Sequence, residues 1–81
     1  MGALNCSLAE LPVGSSGRVR SFNPGSRGAL RLREMGILPG TLLRVVRLAP
    51  LGDPIEIDVR GFHLSLRKLE AAEILVEPVI E

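Results

Sequence analysis

Residues 32–66 read LREMGILPGTLLRVVRLAPLGDPIEIDVRGFHLSL, and the fold is decided there. Met35-Gly36-Ile37 predicts the end of a helix, with Gly36 supplying the left-handed residue beyond the last turn. Leu38-Pro39-Gly40-Thr41 predicts a tight turn: Pro39 presets φ at the second position and Gly40 takes a positive φ at the third. Three apolar runs rich in Val and Ile follow, separated by Pro50-Leu51-Gly52-Asp53-Pro54 and by Gly61. That is the pattern of a three-stranded meander. The stretch holds no catalytic signature, so function has to be read from surface and shape.

The last two runs define a register. Ile55, Ile57 and Val59 alternate with Glu56, Asp58 and Arg60, and Phe62, Leu64 and Leu66 alternate with His63, Ser65 and Arg67. With Arg60-Gly61 as a two-residue loop, Val59 faces Phe62, Ile57 faces Leu64 and Ile55 faces Leu66, all on one side of the sheet. The run Thr41–Ala49 is less regular. Leu43 and Val45 lie on one face, and Leu42, Val46 and Leu48 on the other. Such a strand either bends so that both faces are covered or leaves an apolar strip exposed.

Working outward, Ser26 is the expected N-cap of a helix from about Arg27 to Met35. Ala29, Leu32 and Met35 fall near its inner face, and Ile37 is placed to fold back on Leu32. Arg27 sits in the first turn, where the helix dipole disfavours a cation, which suits a role toward a partner. Arg18–Phe22 alternates as a half-buried strand, with Asn23-Pro24-Gly25 closing it. Ser7-Leu8-Ala9-Glu10 matches a capping box with room for one turn before Pro12. Lys68–Ala72 predicts a one-turn helix, and Glu73–Glu77 a last strand ending before Pro78. The expected fold is mainly β with one short helix, a single domain over 1–81 forming a small SH3-like five-stranded β-barrel, because closure removes exposed sheet edges.

Composition narrows the function. The chain has 81 residues, 46% apolar, with two aromatics, Phe22 and Phe62, and a net charge of +1. Uncharged stretches such as Met35–Leu43 fall far short of the roughly 20 apolar residues of a membrane-spanning helix. The N-terminus lacks the basic and apolar regions of a secretory signal, and Cys6 stands where the myristoylation pattern starting at Gly2 wants Ser or Thr. One cysteine cannot form an internal disulfide, which fits a reducing compartment. The expectation is a small, soluble, intracellular domain.

The candidate sites each have a bland counterpart. Asp58 and His63 are directly opposite in the hairpin register, with Glu56 diagonal to them. Carboxylate and imidazole suit Zn²⁺ or Fe²⁺, but the shell is incomplete, so a second chain would have to add ligands. The bland reading is a surface charge pair worth about 0–1 kcal/mol. Leu42, Val46, Leu48 and Leu51, with Arg44 and Arg47 among them, form a candidate protein-binding strip unless a bend buries the leucines. The strand arginines could face nucleic acid, but interspersed carboxylates, few aromatics and the small net charge argue against it. No phosphate-binding Gly-Lys loop and no nucleophile–base set is present, so no enzyme activity is expected.

Several of these residues also carry a family likeness. Leu32…Met35-Gly36-Ile37…Pro39-Gly40-Thr41, Ala49-Pro50-Leu51-Gly52-Asp53-Pro54, Arg60-Gly61 and Leu64…Leu66-Arg67, preceded by Ser7-Leu8…Leu11…Gly14…Gly17…Val19, resemble the bacterial ferrous iron transport protein A (FeoA) family. The resemblance implies a cytoplasmic SH3-like domain that works with a membrane ferrous iron permease carrying its own G-domain. It implies no required cofactor and no catalytic or metal-binding residue set. The matched glycines and prolines are architectural. The family is similar in fold to the C-terminal domain of iron-dependent repressors, which leaves a metal-responsive, dimerising domain or a nucleic-acid-binding small barrel as alternatives. Against the repressors, no DNA-binding helix-turn-helix is expected here, and the chain begins with its own methionine.

Overall fold

A computed structural model describes residues 5–80; the Gly2 pattern and the extremes of the 1–81 domain assignment lie outside them. Six strands form one antiparallel sheet in the order β1-β6-β2-β3-β4-β5. They are β1 Cys6–Ser7, β2 Ser16–Phe22, β3 Leu42–Leu48, β4 Ile55–Val59, β5 Phe62–Leu66 and β6 Ile74–Val79. Two helices, α1 Arg27–Glu34 and α2 Lys68–Ala71, and a 3-10 turn at Leu8–Glu10 complete it. The expected five-stranded barrel is therefore corrected to six strands in an open sheet. The added strand, β1, is two residues long and pairs with Val76 and Leu75 of β6. It gives way at once to the 3-10 turn, where the Ser7 N–H donates to Glu10 Oε1 at 2.9 Å. Both edges are protected without closure: one is very short, and on the other Arg31 of α1 donates to the Ser65 carbonyl at 3.3 Å.

Helix α1 starts and stops as its residues dictate. Ser26 Oγ accepts from the Ala29 N–H at 3.0 Å. At the far end, Ile37 N–H donates to Leu32 O at 2.9 Å and Gly36 N–H to Arg33 O at 3.0 Å. With Gly36 at φ +80° this is a complete Schellman end. Its apolar contact, Leu32 against Ile37, is fully buried. Met35, expected inside, is instead partly exposed at the helix end, and Ile37 takes the core position. The next four residues form the expected turn: Thr41 N–H donates to Leu38 O at 3.1 Å, and Gly40 has φ +97°.

The β4–β5 hairpin has the register derived above, including Val59 with Phe62 and Asp58 with His63. Its loop residues Arg60 and Gly61 both have positive φ, 51° and 82°. Arg60 uses that geometry to reach back, donating from Nη1 to the Gly36 carbonyl at 2.9 Å. A cation there meets the negative end of the α1 dipole. Arg60→Ala should therefore lower the unfolding free energy by about 0.5–1 kcal/mol in a urea titration, the usual worth of one such bond. An unchanged midpoint would show that the tether adds nothing.

Two bulges depart from strict alternation. In β2, Val19 pairs with Val76 but Ser21 with Leu75, so Arg20 is the extra residue. Phe22 then shares the inner face with Val19 and packs against the core. In β3, Val45 pairs with Ile57 but Arg47 with Glu56, making Val46 the extra residue. Leu48, opposite Ile55, thereby changes face. Strand β6 also runs through Pro78, past its expected end, because β1 pairs only as far as Val76 and leaves Pro78 without a neighbour on that side.

Candidate functional site

The outer face of β3–β4–β5 carries the residues singled out above. Its cross-strand rows are Arg44–Asp58–His63 and Arg47–Glu56–Ser65. His63 Nε2 lies 2.9 Å from Asp58 Oδ1, with both side chains more than half exposed. Glu56 does not join them: its Oε2 is 3.2 Å from Arg47 Nη2. Among the described residues no group of three or more His, Cys, Asp or Glu is placed to hold a metal. Asp58 and His63 alone would supply only two of the four ligands that zinc takes. Cys6 lies on the opposite edge strand. Burial, and secondly the Glu10 carboxylate, push its thiol pKa up, which keeps it protonated at neutral pH and a poor ligand.

The apolar strip is accessible but divided. Leu42 is 43% exposed, Leu48 44% and Leu51 96%, while Val46 is half-buried. The β3 bulge keeps Leu42 and Val46 on the outer face with Arg44 and Arg47, and turns Leu48 toward the core side at the sheet's end. Leu51 lies on the loop before β4. The six residues therefore do not form one continuous strip.

A concave feature lies elsewhere. A cleft of about 340 Å³ between α1, the end of β2 and the Leu38–Thr41 turn is lined chiefly by Phe22, Pro24, Ala29, Leu38, Pro39 and Arg33. The β2 bulge brings Phe22 to it, and the Schellman end returns the chain so that the turn forms the far wall. Leu38 was the one readable signal: an apolar residue in a tight turn has no core position available, and it is 57% exposed. Leu30, one turn before Arg33 on α1, is equally exposed. A second cleft of about 410 Å³ lies at the start of α1; it is lined by Arg27 and Arg67 but also by Glu70 and Glu73, so its charges offset.

Known proteins place this surface in context. The FeoA domain model matches residues 6–78. The chain is 43% identical over 72 residues to an Fe(2+) transport protein A/Fe(2+) transporter FeoB fusion protein of Porphyromonas gingivalis, covering 86% of this chain but only 8% of that protein. The solution structure of a FeoA-like protein from Clostridium acetobutylicum superposes with a TM-score of 0.88 at 40% identity, covering 100% of this chain and 93% of that one. The crystal structure of Stenotrophomonas maltophilia FeoA complexed with zinc, described as a prokaryotic SH3 domain protein, matches with a TM-score of 0.75 at 33% identity over 88% of each chain. With a family match over nearly its whole length and a fold shared with those structures, this chain belongs to the FeoA domain family.

Proposed function

We propose that this domain is a non-enzymatic accessory of ferrous iron uptake that docks on the cytoplasmic side of a ferrous iron permease and its G-domain. The observation that carries this reading is the fusion protein, in which a domain similar to this one is joined to an iron transporter. Tethering in one chain holds two modules at an effective concentration on the order of millimolar, which is of use only where the modules work on each other. A docked domain biases the transporter between states by binding one of them more tightly. Membranes carrying the transporter, incubated with this domain under each nucleotide condition, should retain it in at least one. Its absence from the membrane fraction under all of them would refute the reading.

A second reading is metal-bridged dimerisation through Asp58 and His63. It is supported by their 2.9 Å pairing on an exposed face and by the zinc held by the Stenotrophomonas relative. Zn²⁺ or Fe²⁺ should then double the sedimenting mass, and His63→Ala should abolish the change. A mass indifferent to metal removes this reading.

A further inference from the structure

We propose that the cleft between α1 and the Leu38–Thr41 turn receives a segment of a protein partner that presents one bulky apolar side chain beside a carboxylate. Three properties of the cleft point to that occupant. Its volume of about 340 Å³ accommodates a large side chain with part of its neighbour, and most of its lining is apolar. One wall, the turn, is anchored. The turn is fastened to β2 by Gly40 N–H to Val19 O at 2.7 Å and Val19 N–H to Thr41 O at 2.9 Å. Arg18 Nη1 adds a third tie, to Gly40 O at 3.0 Å. A preformed wall spares the ordering cost that weakens binding to mobile loops.

The third property is charge. Arg31 is occupied, donating to Glu70 and to the Ser65 carbonyl. The guanidinium of Arg33, two positions on and in the cleft lining, has no hydrogen-bond or ion-pair partner among the described residues. A free guanidinium at the edge of an apolar concavity is suited to a carboxylate approaching with two oxygens. A lipid surface is the weaker occupant, because lipid engages protruding apolar residues and anionic headgroups need a larger basic excess than a net +1. The site deepens the accessory reading, on which the identity of the partner rests, by giving its location and chemistry.

The test uses the whole chain, backbone NMR and three probes: a short blocked Leu-Phe peptide flanked by aspartates, the same peptide with lysines, and phosphatidylglycerol vesicles. The aspartate peptide should shift the amides of Phe22, Ala29, Arg33 and Leu38. Arg33→Glu should weaken it at least tenfold and favour the lysine peptide, Leu38→Asp should weaken both, and Leu51→Asp should change neither. These positions are exposed, and each variant's amide spectrum reports that it is folded. Shifts elsewhere, binding indifferent to Arg33→Glu, or binding to vesicles alone would overturn the proposal. Transporter-bearing membranes separate the two readings. Equal retention of wild type, Arg33→Glu and Leu38→Asp overturns the cleft and spares the accessory role. Loss of wild-type retention with peptide binding intact does the reverse.

Discussion

Leu32→Ala should lower the unfolding free energy by about 3 kcal/mol, within the range of roughly 2–5 kcal/mol for a buried leucine truncated where the surroundings cannot collapse. Leu32 is fully buried in the cluster that includes Ile37, Leu43 and Val59. The site cannot close over the void, because its backbone is fixed: Leu32 O accepts from both Met35 and Ile37. A domain of this size has about 4–12 kcal/mol in total, so the variant loses a large part of its margin. Its thermal midpoint should fall by about 12–24 °C at roughly 4–8 °C per kcal/mol. Leu30→Ala is the control. Two residues away but 57% exposed, it should stay within about 0.5 kcal/mol of wild type. Parallel urea titrations with similar losses for both would mean that α1 does not sit on the core as described.

What could be read from the residues, and what could not, divides by sequence separation. The Gly36 helix end, the Pro39-Gly40 turn and the Arg60-Gly61 hairpin are local devices, and each fixes its own backbone from a few neighbours. The hairpin in turn places Asp58 beside His63, so that pair is legible in the sequence alone. Bulges are different. No residue type announces Arg20 or Val46 as extra, because either strand pairs acceptably until its partner is known. The consequences were inward-facing Phe22 and Leu48, and Arg47 brought opposite Glu56, with which it pairs. Strand β1 escaped for a related reason: a two-residue strand has no period and exists only because β6, some seventy residues on, offers it a ladder. The cleft is assembled from residues 22–24, 29–33 and 38–39, and only Leu38 carries a local hint of it.

Gly28→Ala should destabilise the domain although alanine is the better helix former. Alanine in place of glycine within a helix ordinarily contributes about 0.5–1 kcal/mol. Here an added Cβ would sit 2.9 Å from both Glu70 Cβ and Glu70 O, and 3.2 Å from Glu70 C. The obstruction is the backbone of α2, so no rotamer change relieves it and the helices must separate. Overpacking of this kind costs about 1–3 kcal/mol, which outweighs the propensity gain over most of its range and leaves a net loss of up to about 2.5 kcal/mol. The displacement also strains what Glu70 holds: its Oε1 accepts from the Arg67 N–H at 2.8 Å and from Arg31 Nη1 at 3.0 Å. Arg31 in turn covers the edge of β5. Amide exchange in Gly28→Ala should therefore quicken in α2 and along β5 before it does in β2 or β6. Uniform quickening would mean that the two helices do not meet at Gly28, and a more stable variant would mean that α2 yields at no cost.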